Sequence, residues 1–186
     1  YVHDSIYDEV VDELASIAND TIIGDGLEQG TKLGPLQNKM QYEKVKELIE
    51  SARQDGNIVA GGEVPDQSGY FIRPTIVRDV TEGSRIVDEE QFGPVLPVIR
   101  FSDESDAIAR ANNSDYGLGG SVWSSDLDRA YDVANQMNTG TVWINKHAEL
   151  DPGIPFGGSK QSGLGNELGM EGLKEFTQLK MINMAR

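Results

Sequence analysis

Stretches with the character of β-strands alternate with amphipathic helical stretches through the middle of this 186-residue chain. Residues 93–101 (GPVLPVIRF) and 140–145 (GTVWIN) are short and apolar, as buried strands are. Residues 126–137, which precede the second of these runs, have helical periodicity instead. Because parallel strands need a crossover connection that is usually a helix, this order predicts an α/β fold with a mostly parallel sheet and helices on both faces.

In the amino-terminal third, the apolar periodicity predicts two helices, which are separated by the glycine-rich loop GDGLEQGTKLGPLQN. Asp4 can cap the first helix, whose periodicity predicts four buried side chains, Ile6, Val10, Leu14 and Ile17. The second helix covers roughly residues 39–53 and ends before Gly56, with one apolar side formed by Val45, Leu48, Ile49 and Ala52. Strands follow at NIVAGG and at YFIRPTIVRDV, the latter broken by Pro74.

Composition excludes several classes of function. The chain has no cysteine, so it contains neither a disulfide, nor a thiolate metal site, nor a cysteine nucleophile. The two histidines, His3 and His147, stand outside any cluster with metal-ligand spacing, and no metal site is predicted. A net charge of −15 disfavours nucleic acid. The apolar runs are too short for a membrane span and no leader is evident, so a cytoplasmic location is predicted.

The glycine motifs that could bind a phosphate do not fit their patterns. Gly24, Gly26 and Gly30 approach the dinucleotide fingerprint, but their spacing is one residue too long. Residues 157–160 (GGSK) differ from a Walker loop on both sides of the lysine. The residues alone therefore predict an α/β domain of undefined chemistry.

Four segments, in order, resemble signatures of the aldehyde dehydrogenase family. EEQFGPVLPV (residues 89–98) resembles its acidic-x-Phe-Gly-Pro-Val motif, and GYFIRPTIV resembles the strand ahead of that motif. NNSDYGLGGSVWSSD resembles its Asn-x-x-x-Tyr-Gly-Leu segment. GTVWINKHAELDPGIPFGGSKQSGLGNELG resembles the run from its asparagine-containing strand to Pro-Phe-Gly-Gly-x-Lys-x-Ser-Gly. The resemblance covers essentially the whole chain, and four motifs in this order and spacing are specific.

The family combines a Rossmann-like cofactor domain, a catalytic α/β domain and a small oligomerisation sheet completed by the carboxyl-terminal strand. The resemblance implies that residues 1–175 are the carboxyl-terminal portion of the catalytic domain and that 176–186 form an oligomerisation strand, through which a homo-oligomer assembles. It also places Tyr1 after the family's nucleophilic cysteine, so that this cysteine, the main general base and the cofactor domain would lie upstream.

The reaction implied by the resemblance has a thiolate attack a small-molecule aldehyde, a hydride pass to NAD or NADP, and water release a carboxylic acid. Without nucleophile and base, the chain itself is expected to be inactive. Two alternatives remain at this point. The chain could serve only as a structural or oligomerisation unit, or its parent could be a semialdehyde dehydrogenase in which coenzyme A, rather than water, resolves the thioester.

The EEQF motif supplies the candidate cofactor residues. By position, Glu90 resembles the family's carboxylate that accepts hydrogen bonds from the nicotinamide ribose, and a carboxylate can accept from both hydroxyls of a diol. Phe92 resembles the ring that packs beside the nicotinamide. The alternatives are a solvated acid, one of 31 in the chain, and an ordinary core aromatic.

The resemblance also implies three residues of the substrate pocket. Asn145 matches the asparagine of the strand that enters the family's substrate tunnel, where a structural role is favoured over direct catalysis. His147 lies in the loop that lines the entrance, and Phe156 matches an aromatic of the tunnel wall. Glu167 matches a family acid that passes protons to the general base, a role for which a buried carboxylate with a raised pKa is suited. Its alternative is a favourable charge at a helix start.

Overall fold

The computed structural model describes residues 1–185. The chain divides into two units, the first Tyr1–Asp103 and the second beginning at Glu104. Three of the five strand pairings within residues 1–185 are parallel, so the predicted α/β class with mostly parallel pairing is confirmed. The two units subdivide the predicted domain 1–175, whose boundary with 176–186 stays a prediction.

The first unit is built on a three-stranded sheet of order β2-β3-β4, in which β2 and β3 are antiparallel and β3 and β4 parallel. A second, two-stranded pairing joins β1 to β5 in parallel. Its elements in chain order are β1 (Val2–His3), a 3-10 turn (Asp4–Ile6), α1 (Tyr7–Asp20), α2 (Lys39–Asp55), β2 (Asn57–Ala60), β3 (Thr75–Arg78), α3 (Arg85–Asp88), β4 (Val95–Val98) and β5 (Arg100–Phe101).

Helix α2 follows its sequence prediction closely. The Asn38 side chain accepts a hydrogen bond from the backbone N–H of Gln41 (2.9 Å), which caps the first turn. Gly56 ends the helix, as predicted. The predicted apolar side is buried, and it joins the main hydrophobic cluster of the unit with Ile72, Val77, Ile86 and Val95. The packing of this face fixes the position of α2 on the sheet.

Helix α1 buries a different face from the predicted one. The side chains of Ile6 and Ile17 are exposed, and Tyr7, Val11 and Ala18 are buried instead. The physical reason is tertiary. The Tyr7 hydroxyl donates a hydrogen bond to the Val98 carbonyl (2.8 Å) and accepts one from the Asp79 N–H (3.0 Å). These bonds hold the Tyr7 ring inside the unit, and the helix turns accordingly.

The cap predicted at Asp4 is also displaced. The 3-10 turn precedes α1, and His3 caps it by accepting a hydrogen bond from the Ser5 N–H at Nδ1 (3.2 Å). Asp4 lies inside the turn, where its carboxylate forms an ion pair with Arg100 (3.7 Å). Histidine was not expected at this position because oxygen-bearing side chains dominate helix caps.

The second unit contains a parallel pair, β7 and β8, connected by helix α5, and an antiparallel pair, β6 and β9. The strands and the helix predicted for residues 118–145 are confirmed. Its elements are α4 (Glu104–Asn112), β6 (Tyr116–Gly117), β7 (Gly119–Val122), α5 (Leu127–Gln136), β8 (Thr141–Ile144), β9 (Ser159–Lys160) and α6 (Gly169–Lys174).

The carboxyl-terminal segment lacks regular secondary structure. The helix predicted near residues 167–176 is shorter, and residues 177–185 belong to no helix or strand. Their apolar side chains are at least 80% exposed, namely Leu179, Met181, Ile182 and Met184. The oligomerisation strand at 176–186 thus stays a prediction, since a strand needs a partner to pair with. None of the helices within residues 1–185 is long and apolar enough to cross a membrane.

Candidate functional site

The candidate cofactor residues Glu90 and Phe92 lie in the loop of residues 89–94, between α3 and β4. We call this segment the EEQF loop. Helix α2 holds its backbone. Lys44 donates a hydrogen bond from Nζ to the Glu90 carbonyl (2.6 Å), and Gln41 donates one from Nε2 to the Gln91 carbonyl. The two donors are three residues apart and so project from the same side of the helix.

Close packing against α2 also holds the backbone of the EEQF loop. A Cβ added at Gly93 would lie 2.7 Å from a methyl carbon of Val45 and 3.1 Å from one of Leu36. The backbone of the loop therefore approaches α2 more closely than any other residue type would allow. The Gln91 side chain also donates to the carbonyl of Val95, the first residue of β4 (2.6 Å). The backbone is thus held by both hydrogen bonds and packing.

The side chains of Glu90 and Phe92 are left free by these contacts. The Glu90 carboxylate is exposed, and it forms no hydrogen bond or ion pair with any residue in the range 1–185. The Phe92 ring is 75% exposed, and its backbone has φ +46°, a region that is uncommon for residues other than glycine. Phe92 is therefore not the core aromatic of the alternative interpretation.

The neighbouring acid, Glu89, is engaged. Its carboxylate lies 2.6 Å from Nε of Arg85, one turn away on the same chain. The hydrogen bond from Arg85 lowers the pKa of Glu89 below its ordinary value, because the guanidinium stabilises the charged carboxylate. Of the two adjacent acids, only Glu90 is available to an incoming ligand.

The donor set of the EEQF loop fits a nicotinamide ribose. A free carboxylate can accept hydrogen bonds from two vicinal hydroxyls, and an exposed ring can pack on a flat heterocycle. Both groups stand on a backbone that is already ordered. Glu90 and Phe92 are hence the residues of the first unit that could hold such a group.

In the second unit, Asn145 follows β8 and joins it to the end of β7. Its side-chain Oδ1 accepts from the Ser124 N–H (2.9 Å), and its Nδ2 donates to the Ser124 carbonyl (2.8 Å). Its backbone N–H donates to the Val122 carbonyl (2.9 Å) at φ +55°. Both ends of the amide are occupied by the backbone of Ser124, which supports the structural role that the sequence favoured.

An aromatic group forms around Trp143, a buried residue of β8. The His147 ring meets the Trp143 ring edge to face at 5.4 Å between centroids, and the Phe156 ring lies 6.4 Å from it. The indole Nε1 of Trp143 donates to the Glu149 carbonyl (2.9 Å), which ties the loop after β8 to the strand. Two predicted substrate-pocket residues, His147 and Phe156, are thereby brought to one place.

Glu167 lies beside this aromatic group through the backbone. The Phe156 N–H donates to the Glu167 carbonyl (2.8 Å), and the Glu167 N–H donates to the Phe156 carbonyl (2.7 Å). The Glu167 side chain is exposed, two residues before α6 begins at Gly169. The burial expected for a proton relay is therefore not present in this chain, while the position next to Phe156 is.

The Pro-Phe-Gly-Gly-x-Lys-x-Ser segment stabilises the unit. The Lys160 ammonium donates to the carbonyls of Asn112 (2.8 Å) and Ser114 (2.9 Å), at the carboxyl end of α4. The Ser162 hydroxyl accepts from the Gly117 N–H (2.8 Å). A lysine at a helix carboxyl terminus satisfies free carbonyls and complements the helix dipole.

Gln41, Lys44 and Trp143 belong to none of the sequence signals that predicted a site residue. Gln41 and Lys44 contact the EEQF loop across 50 and 46 residues of sequence, and their helical spacing alone does not indicate what they bind. Trp143 was assigned to a strand without a further role. Its position two residues before Asn145 and four before His147 is the signal that could have identified it.

Comparison with known proteins gives a consistent result. The sequence profile of the aldehyde dehydrogenase family matches residues 1–182. The chain is 44% identical over 182 residues to a succinate-semialdehyde dehydrogenase (NADP+) of Deinococcus radiodurans, covering 97% of this chain and 38% of that protein. It is 40% identical over 188 residues to a phenylacetaldehyde dehydrogenase of Pseudomonas fluorescens, with 100% and 38% coverage.

A solved structure is similar over the same range. The NAD+ complex of an aldehyde dehydrogenase from Bacillus cereus matches with a TM-score of 0.93 and 44% identity, over 96% of this chain and 37% of that one. The chain thus spans about 38% of the length of the curated relatives it matches.

The role of Lys44 in ordering the EEQF loop can be tested with Lys44→Met. Loss of the hydrogen bond to the Glu90 carbonyl, worth about 0.5–1.5 kcal/mol, is expected to speed amide exchange of residues 89–94 by about two- to tenfold. Hydrogen–deuterium exchange read by mass spectrometry measures this. Lys46→Met is the matched control, because Lys46 pairs with Glu43 on the same helix. Equal exchange in both variants and the parent would contradict the role.

Proposed function

This chain belongs to the aldehyde dehydrogenase family, and we propose that it forms the carboxyl-terminal part of a cytoplasmic enzyme that oxidises a small-molecule aldehyde to a carboxylic acid with NAD or NADP. The observation that carries the proposal is the state of the EEQF loop. Its backbone is fixed by Lys44, Gln41 and the contact at Gly93, yet its two predicted ligand-binding side chains are free. An ordered loop that leaves a carboxylate and a ring unengaged is suited to binding a ligand.

On the cofactor side, Glu90 would hold the ribose hydroxyls of a nicotinamide cofactor by accepting hydrogen bonds, and Phe92 would pack beside the nicotinamide. A nicotinamide cofactor, when bound, would supply the hydride acceptor. Glu90 would provide the polar contact and Phe92 the apolar one. The anchoring by α2 means that little ordering entropy is lost when the contacts form.

On the substrate side, His147 and Phe156 line the entrance and wall of the aldehyde tunnel, with Trp143 as the ring on which both pack. Asn145 keeps the ends of β7 and β8 together, and thereby positions the loop that carries His147. The distances between these rings support an aromatic wall that excludes water from the reacting carbon.

Glu167 is proposed to pass protons between solvent and the general base of the whole enzyme. Its backbone pairing with Phe156 places it next to the proposed tunnel wall. The alternative, that it only favours the start of α6, is weakened because α6 has six residues and hence a small dipole.

The first prediction concerns activity. The 186 residues contain no cysteine, and the family's reaction needs a nucleophile. The isolated chain is therefore expected to oxidise no aldehyde with either NAD or NADP. The measurement is reduced-cofactor absorbance with a panel of aliphatic and aromatic aldehydes. A longer protein that contains these residues serves as the positive control. Turnover by the isolated chain, in a preparation free of other dehydrogenases, would refute the need for an outside nucleophile.

The second prediction concerns Glu90 in that longer protein. Glu90→Gln removes a charge-assisted hydrogen bond worth roughly 1.5–3 kcal/mol, so cofactor affinity or the hydride step should fall by about one to two decades. Glu63→Gln, at another exposed acid of the same unit, is the control and should behave as the parent. Cofactor titration and single-turnover kinetics separate the two effects. If both quantities keep their parental values, Glu90 does not bind the cofactor.

The third prediction concerns assembly. If the segment 177–184 paired as a strand, Leu179 and Met181 would lie on one face and Ile182 and Met184 on the other. These side chains are exposed, and a partner would cover both faces. We expect a symmetric homodimer or larger assembly through this segment. Sedimentation of the intact chain is compared with a version ending at Phe176 and with Leu179→Glu. Assembly only in the intact chain supports the proposal, and a monomer in all three contradicts it.

A further inference from the structure

The glycine-rich loop between α1 and α2 has no part in the proposed function, and it contains one of two Asp-Gly pairs in the chain. These pairs are Asp25–Gly26, in the loop, and Asp55–Gly56, at the end of α2. An Asp-Gly pair is chemically special because glycine has no side chain to shield its amide nitrogen from the preceding carboxyl group. The two pairs differ in the surroundings of the glycine: Gly26 is open to solvent, whereas Gly56 is packed against its neighbours.

Asp25 is arranged as the first residue of a tight turn. Its Oδ1 accepts from the Leu27 N–H (2.9 Å), and its carbonyl accepts from the Glu28 N–H (3.0 Å). In such an Asx turn the carboxyl group curls back over the peptide that follows it. Gly26 is exposed, and a Cβ added there would meet no atom within 4 Å. Within residues 1–185, the Gly26 N–H donates no hydrogen bond.

Asp55 is held in the opposite way. The Gly56 N–H donates to the Ala52 carbonyl (3.0 Å) as the last bond of α2. A Cβ added at Gly56 would lie 2.7 Å from the Arg78 carbonyl, so the glycine is enclosed. Asp55 itself is helical, and its Oδ2 lies 3.4 Å from the Ser51 hydroxyl. The amide nitrogen of Gly56 can reach the Asp55 carboxyl only after the helix end opens.

We propose that Asp25 is a site of spontaneous isoaspartate formation in this protein and that Asp55 is protected. The amide nitrogen of Gly26 attacks Cγ of the protonated Asp25 carboxyl group. The amide proton and the carboxyl hydroxyl leave together as water, which closes a five-membered succinimide. Water then opens the ring. Cleavage at the former backbone carbonyl leaves the chain linked through Cγ, whereas cleavage at Cγ restores aspartate. No oxidant or reductant takes part, and the final mass is unchanged.

Isoaspartate at position 25 should disrupt the turn at residues 25–28 but leave the base of the glycine-rich loop intact. An isoaspartyl link adds one methylene to the backbone, so the hydrogen bonds that Asp25 accepts from the Leu27 and Glu28 N–H groups are lost. The base of the loop is closed elsewhere, by Gly24 N–H to the Leu33 carbonyl (3.1 Å) and Lys32 N–H to the Ile22 carbonyl (2.8 Å). Neither of these bonds involves Asp25. The modified chain should consequently keep α1 and α2 while it loses the turn at residues 25–28.

The test is prolonged incubation of the intact chain near neutral pH at body temperature. Tryptic peptides that carry Asp25 and Asp55 are separated by chromatography, and their isoaspartate content is quantified. Isoaspartate is expected to form about tenfold or more faster at Asp25, the factor given by a helix-end opening free energy of about 1.4 kcal/mol. In strong denaturant the two rates should converge, because the ratio reflects structure and not sequence.

Two variants test whether the product at position 25 forms through the succinimide. Gly26→Ala fits the open space and should abolish the product at position 25, since the added methyl hinders attack. Asp25→Asn keeps the acceptor for Leu27 and forms the same succinimide with loss of ammonia, so it should react faster and show a gain in mass on hydrolysis. Equal rates at Asp25 and Asp55 in native buffer, or a faster rate at Asp55, would overturn the proposal.

Discussion

Burial of one face of α2 against the sheet is the interaction on which the candidate cofactor site depends. Val45, Leu48 and Ile49 are almost fully buried, which fixes both the position and the rotation of the helix. Only with that rotation do Gln41 and Lys44 reach the carbonyls of the EEQF loop. The loop backbone is then satisfied by the helix rather than by its own side chains. The exposure of the Glu90 and Phe92 side chains is thus a consequence of how α2 packs in the core.

How far the sequence predicted this arrangement depended on the range of the determining contacts. Helix α2 was predicted to within two residues, since its apolar spacing and its stop at Gly56 are both local. Helix α1 was predicted with the wrong buried face, because a hydrogen bond from Tyr7 to Val98, 91 residues away, sets its rotation. Periodicity cannot include a contact of that range.

The difference between local and long-range contacts also explains which residues of the candidate sites were predicted. Glu90 and Phe92 were identified by a compact motif, whereas Lys44 was not, because its partner is remote in sequence and is a carbonyl, which every residue possesses. In the second unit, several polar side chains of the family motifs form hydrogen bonds with backbone groups. Asn145 and Lys160 both bind carbonyls or amides of neighbouring segments. A motif residue with a polar side chain therefore need not face a ligand.

The exposed ring of Phe92 has a thermodynamic consequence. At 75% exposure it keeps most of its apolar surface in water, and its backbone is held in the left-handed region while it does so. Water around such a surface contributes heat capacity, which is lost when the surface is covered. Any ligand that stacks on Phe92 should therefore bind with a negative change in heat capacity, and its binding enthalpy should become more favourable as the temperature rises.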